Sequence, residues 1–129
     1  CLSYLTIEHR GAIPPELRPK LGRRVFGCDT CQSVCPLNRG IREGTESKAV
    51  ISGFPDLLKE FSFSEAEWKA KYRATPVMRA GFAGYRRNLA IALANSRPPG
   101  AARALQAALE SGRTPDLRET LQWALVQLG

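Results

Sequence analysis

Four cysteines carry the clearest chemistry in this sequence, and all lie within the first 35 of its 129 residues. Three sit in the run Phe26-Gly27-Cys28-Asp29-Thr30-Cys31-Gln32-Ser33-Val34-Cys35-Pro36, spaced C-x2-C-x3-C-P. The fourth, Cys1, is separated from Cys28 by 26 residues. Thiolates are soft ligands that suit iron–sulfur clusters and zinc, and a tight C-x2-C turn presents two of them with the neighbouring backbone N–H groups. Three uses are open: an iron–sulfur cluster, a zinc ion held by all four cysteines, or paired disulfides. Zinc ribbons usually carry two C-x2-C pairs, and one is present here. Disulfides belong to oxidising compartments, and the chain has no charged n-region followed by an apolar h-region of the secretory kind. The spacing and its closing proline favour iron and sulfide.

In the ferredoxin-type run C-x2-C-x2-C-x3-C-P, the cysteine before the proline ligates the other of two clusters. The present run has the last three cysteines and the proline, with Val25 where the first cysteine would stand. Cys1 is the remaining cysteine to take that place. On this reading Cys1, Cys28 and Cys31 hold three irons of one 4Fe–4S cluster, and Cys35 holds one iron of a second. Two cubanes need twice as many thiolates as the four present, so the chain is expected to be a fragment of a longer protein with another cysteine run. Asp29, inside the run, is expected to accept backbone N–H bonds in the loop. His9, the single histidine, reads as a turn residue.

Positioning these groups falls to an apolar frame. Hydrophobic residues make up 43% of the chain and charged ones 24%, the balance of a globular protein with a core. No apolar run approaches the roughly 20 residues of a membrane-spanning helix. Residues 1–40 hold the cysteines and most of the turn residues. Within them, residues 4–7 are too short to separate strand from helical turn, and residues 15–18 predict one short helix that Pro19 limits. Residues 41–53 are mostly polar and read as a linker. Residues 54–129 read as helices. Phe54, Leu57, Leu58 and Phe61 have helical spacing, and Ser64-Glu65-Ala66-Glu67 is a capping-box pattern ahead of Trp68 and Tyr72. Thr75-Pro76 predicts a helix start. Tyr85, Leu89, Ala92 and Leu93 mark an amphipathic helix ended by Asn95, Pro98 and Pro99. Residues 101–110 form another helix, closed by Ser111-Gly112, and Thr114-Pro115 opens the last. Arg86, Leu89, Ala92 and Leu93 recur 32 residues later as Arg118, Leu121, Ala124 and Leu125. This echo fits either stacked HEAT-like helix pairs or two similar helices in an irregular bundle. The expected class is mainly α, a ferredoxin-like iron–sulfur segment followed by HEAT-like repeats, with the two halves carrying separate jobs.

Charge points to a partner. Nineteen Lys and Arg against twelve Asp and Glu give a net charge of +7. Lys69, Lys71, Arg73, Arg79, Arg86, Arg87, Arg97 and Arg103 occur with no Asp or Glu among residues 68–109. Arginine suits phosphate through paired hydrogen bonds. Arg79, Arg86 and Arg87, with Lys71 and Arg73, are expected to present one phosphate-binding surface, sharing a helix face if the helix runs through Gly81 and Gly84 and with Arg79 on the preceding loop if those glycines break it; Tyr85 and Asn88 are expected to add polar or stacking contacts to RNA.

Three segments in this order, Cys-Leu-Ser-Tyr-Leu-Thr-Ile-Glu at 1–8, the cysteine run at 26–36 and Arg-Arg-Asn-Leu-Ala-Ile-Ala-Leu-Ala-Asn at 86–95, resemble epoxyqueuosine reductases over nearly the whole chain. The resemblance implies the C-terminal portion of a cytoplasmic, monomeric oxidoreductase that reduces epoxyqueuosine in tRNA to queuosine. It implies two 4Fe–4S clusters fed by an external electron donor, a cobalamin, and a HEAT-like module that helps hold the tRNA. It makes Cys1, Cys28 and Cys31 ligands of the cluster nearer the cobalamin and Cys35 a ligand of the other. Ser3 and the Cys28-Asp29 turn would lie against the cobalamin, and Arg10 close to the tRNA. The family's proton-donating carboxylate belongs to its N-terminal domain, so no catalytic acid is assigned here. The competing function is a ferredoxin-type electron-transfer module fused to a helical protein-interaction domain. Salt-dependent RNA binding separates the two.

Overall fold

The computed structural model describes residues 1–40, 55–112 and 115–129, and every regular element among them is helical. The expected linker at 41–53, with Phe54 and Thr114, lies outside the described residues. The N-terminal segment contains α1 (Leu2–Ile7), a 3-10 turn at Pro15–Leu17 running into α2 (Arg18–Leu21), α3 (Thr30–Ser33) and a 3-10 turn at Pro36–Asn38. Residues 4–7 are therefore helical. Pro19 sits in the first turn of α2 rather than limiting a helix before it, because a first-turn N–H has no partner within the helix to lose.

The helical part follows as α4 (Leu57–Ser62), α5 (Glu65–Tyr72), a 3-10 turn at Pro76–Ala80, α6 (Gly81–Ser96), α7 (Ala101–Glu110), a 3-10 turn at Pro115–Leu117 and α8 (Arg118–Leu128). Asp56 caps α4, its carboxylate accepting the N–H groups of Leu58 and Lys59. The Ser64 capping box forms as the sequence predicts, with Glu67 returning a bond to the Ser64 N–H at 2.8 Å. Thr75-Pro76 starts a 3-10 turn, and Gly81 at φ +70° then redirects the chain into α6. The run from Arg79 to Arg86 is thus not one continuous helix. At its far end α6 runs past Asn95 and stops at Arg97, which adopts a left-handed conformation.

Helix α6 is the centre of the molecule rather than an amphipathic surface helix. Tyr85 and every residue from Arg87 to Ala94 are buried. One side, through Leu89, Ala92 and Leu93, joins Phe61, Trp68, Leu105, Leu121 and Ala124 in the main core. The other side, through Ile91, joins Leu5, Ile13 and Leu21 of the N-terminal segment. Val25 belongs to the main core, so the two parts share apolar packing and are not separate bodies. Arg18 adds a polar tie. Its Nε donates to the Ile13 carbonyl at 2.7 Å and its Nη2 to Glu119 of α8 at 2.6 Å. No helix among the described residues is long and apolar enough to cross a membrane.

Candidate metal centre

The cysteines occupy three short structural pieces. Cys1 is the residue before α1, Cys28 lies just before α3 and Cys31 within it, and Cys35 precedes the Pro36–Asn38 turn. All four are unbridged thiols; Cys1 and Cys31 are exposed, and Cys28 and Cys35 half-buried. The loop that carries Cys28 turns at Gly27, with φ +78°, a backbone conformation that glycine adopts without the strain other residues incur.

Polar side chains tie these pieces together. The Gly27 N–H donates to Thr6 Oγ1 of α1 at 3.0 Å, and the Thr6 hydroxyl donates to the Leu2 carbonyl at 2.9 Å. Asn88 Nδ2, from α6, donates to the carbonyls of Thr6 and Val25, each at 2.8 Å. The helix that follows Cys1 and the loop that leads to Cys28 are therefore fastened to each other and to one residue of the central helix. Asn38 Nδ2 donates to the Gln32 carbonyl at 2.8 Å and braces the turn carrying Cys35.

Local electrostatics favour a thiolate at Cys28. Thr30 Oγ1 lies 3.2 Å from Cys28 Sγ, and Arg24 Nη2 reaches the same hydroxyl at 3.4 Å. Hydrogen bonding from Thr30, helped by the Arg24 charge, holds the Cys28 thiol below its ordinary value. Among the described residues, no three His, Cys, Asp or Glu side chains converge where one ion could sit. Four unbridged thiols, two of them exposed, are the donor type that an iron–sulfur cluster takes, one thiolate at each iron. Asp29 departs from expectation. It precedes α3, but its side chain makes no cap bond; its carbonyl receives the Ser33 N–H and hydroxyl instead. Ser3 is half-buried on α1, and its carbonyl accepts a second Thr6 hydroxyl contact at 3.2 Å. His9 is a turn residue whose ring Nε2 lies 3.0 Å from the Ala12 carbonyl.

The basic residues do not form one face. Arg87 is 3% exposed. Its Nη1 donates to the carbonyls of His9 and Gly11, its Nη2 to Leu5 and Asn88, and its Nε to Asn88, so all five N–H bonds are engaged. Burial, with Arg10 nearby, pulls it down to about 10, which leaves it a cation at neutral pH. No donor remains for a phosphate, and Arg87 is a staple rather than an RNA contact. Tyr85 and Asn88 are buried too and reach no RNA. Arg86 is half-buried, its guanidinium 4.9 Å from the Phe61 ring centre and 5.6 Å from that of Phe82. Arg79 is exposed and pairs with Glu8. Arg10 is exposed as well and donates to the carbonyls of Ile7, Arg79 and Ala80. The separation of jobs between the two halves fails at Arg87 and Asn88, which belong to the helical part yet hold the backbone around the cysteines.

Sequence reasoning singled out the cysteines, passed over the ties made by Thr6 and Asn38, and gave Asn88 to RNA and Asn95 to the end of a helix. The available signal was Asn88 and Asn95 seven apart, bracketing the apolar run 89–94, where an amide without a partner is costly.

Residues 1–38 match the family described as a 4Fe-4S double cluster binding domain. The chain is 42% identical over 134 aligned residues to an epoxyqueuosine reductase of Pseudomonas aeruginosa, covering 100% of this chain and 37% of that protein. The fold superposes on a selenomethionine-labelled epoxyqueuosine reductase with a TM-score of 0.87 at 32% identity, covering 100% of this chain and 35% of the other. It superposes on an epoxyqueuosine reductase solved with an epoxyqueuosine-modified tRNA stem loop with a TM-score of 0.80 at 30% identity, covering 100% and 35%. The chain spans about a third of the length of the relatives it matches.

Proposed function

We propose that this chain, which belongs by sequence and fold with the C-terminal part of the epoxyqueuosine reductases, carries the electron-relay ligands of a tRNA-modifying oxidoreductase. Cys1, Cys28 and Cys31 hold three irons of one 4Fe–4S cluster, and Cys35 holds one iron of a second. When bound, the clusters would supply single-electron transfer from an external donor, and a cobalamin the centre for the two-electron, two-proton reduction of epoxyqueuosine in tRNA to queuosine and water. The chain's own residues set the ligands in place. Thr6 and Asn88 fasten the Cys1 helix to the Cys28 loop, and Thr30 with Arg24 favours the Cys28 thiolate. Ser3 and Asp29 are the residues of this segment that face the cobalamin. The observation that carries the reading is this junction of the two cysteine-bearing pieces in a chain matching the double-cluster family over residues 1–38.

For tRNA, Arg10, Arg79 and Arg86 remain the phosphate contacts, and Arg87 does not. Arg10 lies against the Arg79–Ala80 backbone, so those two arginines share one part of the surface. Helix α8 packs against both α6 and α7, which supports reading residues 54–129 as a HEAT-like module after a ferredoxin-like segment. The intact protein works as a cytoplasmic monomer. The test is anaerobic loading of the intact protein with iron and sulfide, followed by iron counting and EPR. Two cubanes are expected, and removal of Cys28 or Cys31 by alanine substitution should abolish donor-driven reduction. Stoichiometric zinc with full folding overturns the reading.

A further inference from the structure

Two asparagines on α6 make the same kind of bond to different places. Asn95 Nδ2 donates to the carbonyls of Arg18 and Gly22, both at 2.9 Å, and so fixes the two ends of α2. Asn88 Nδ2 donates to the carbonyls of Thr6 and Val25, on either side of the gap between the Cys1 helix and the Cys28 loop. Asn88 is fully buried, and its Oδ1 accepts from Arg87 Nε at 3.1 Å and Nη2 at 3.0 Å. The amide is therefore held in one orientation, with its two N–H groups aimed at the two pieces of chain. Thr6 Oγ1 closes the arrangement by taking the Gly27 N–H, next to Cys28 in the sequence. Nothing in this set touches a cysteine sulfur.

We infer that Asn88, acting with Thr6, is a positioning residue that sets the distance and angle of Cys1 relative to Cys28 and Cys31, and thereby the retention and electronic character of the cluster they share. This rests on the cluster reading given above. A cubane accepts one thiolate per iron from fixed directions, so a ligand supplied from a separate piece of chain is well aimed only if the two pieces are locked together. The apolar contacts of α1 with α6 hold α1 to the core, and Val25 anchors the start of the Gly27 loop there, but neither joins the loop to α1. The Asn88 amide and the Thr6 hydroxyl do.

The test compares Asn88→Asp with Asn95→Asp in the intact protein. Both substitutions preserve shape and turn two donated N–H bonds into carboxylate oxygens facing carbonyls. Asn88→Asp also keeps the acceptors that Arg87 uses. Thr6→Val removes the other half of the clamp without altering α6, and reads the same property if Asn88→Asp folds poorly. The readouts are iron release to a chelator, the EPR spectrum of the reduced cluster, and the thermal midpoint of the metal-free protein. The expected result is at least threefold faster iron release and altered g-values in Asn88→Asp and in Thr6→Val. Asn95→Asp, despite a similar fall in thermal midpoint, should release iron at the wild-type rate with a wild-type spectrum. Equal iron release in the two Asp variants, following their thermal midpoints, overturns the inference and makes Asn88 a general stabiliser. A wild-type protein that takes up no iron overturns the cluster reading, and this inference with it.

Discussion

Residues 1–40 and residues 55–129 are held by different forces. The helical part buries large apolar side chains, among them Trp68, Leu89, Leu93, Leu105 and Leu121, each 1% exposed or less. The cysteine segment buries far fewer, with Leu5, Ile13 and Leu21 gathered around Ile91 of α6. Around the cysteines it leaves Tyr4, Val34 and Leu37 at 55%, 68% and 87% exposure. Its backbone is fixed instead by side-chain donors that arrive from α6: Arg87 on Leu5, His9 and Gly11, Asn88 on Thr6 and Val25, Asn95 on Arg18 and Gly22. The difference follows from what each part must do. Thiols that reach a large inorganic group need an open surface, and an open surface has little apolar area to bury. Directional bonds to carbonyls then supply the order that packing cannot.

The sharpest way to break this contrast is Arg87→Met, which keeps the bulk and removes all five donors. The Leu5 carbonyl loses its donor in a buried place and those of His9 and Gly11 lose theirs nearer the surface, and a loss of about 3 kcal/mol is expected in denaturant unfolding. Iron retention should fall in the same variant. A loss below about 1 kcal/mol would mean that apolar contact, not the staple, holds the segment.

Next comes Leu93→Ala, a cavity in the fully buried side of α6 that faces the helices. A loss of about 3 kcal/mol is expected, with the cluster's EPR spectrum unchanged in the protein that remains folded. An altered spectrum would erase the distinction between the two regions.

Alkaline titration, compared between wild type and a variant without its buried tyrosines, probes the helical part. Tyr72 and Tyr85 both donate to the buried Glu60 carboxylate, which Lys71 also contacts. Burial foremost, together with these contacts, raises both tyrosines above their ordinary value of 10.0. The folded state therefore keeps protons that the unfolded chain gives up. The stabilisation is complete below pH 10.0 and declines as pH rises toward the folded values. A slope of about 1.4 kcal/mol per pH unit for each tyrosine is the limit. Thermal midpoints from pH 8 to 11 in wild type and in the Tyr72→Phe, Tyr85→Phe double variant measure it; equal slopes would remove the tyrosines as the cause.

The smallest effect is expected at the Ser64 capping box, where Ser64→Ala should cost about 1 kcal/mol by loss of the bond to the Glu67 N–H. Iron content should not change, because α5 lies away from every bond that fixes the cysteine loop.

Legibility in the sequence tracks the range of the interaction. The Ser64 box and the helical spacing of Leu57, Phe61, Leu89 and Leu93 are set within a few residues, and the helical character of the C-terminal part follows from them. The cysteine run is equally local. Arg87 and Asn88 were misread for the opposite reason. Their partners lie 63 to 82 residues away, and nothing near Arg87 tells a guanidinium bound for buried carbonyls from one bound for a phosphate. An acid-free basic stretch looks the same in both cases. Pro19 was misplaced because a proline that limits one helix and a proline that opens the next occupy the same sequence context.

The Asn88 clamp also imposes an order in time. Synthesis makes the cysteine run long before α6, yet the two carbonyls that Asn88 joins to the central helix lie 82 and 63 residues earlier in the chain. Closing loops of that length carries an entropic cost that helix contacts must offset first. The thiols are thus available while their spacing is still undefined, and they acquire a fixed arrangement only when the helical part has folded behind them. Any process that delivers iron and sulfide meets two different substrates, a pliant early one and a set late one, and the interval between them is governed by the folding rate of residues that bind no metal.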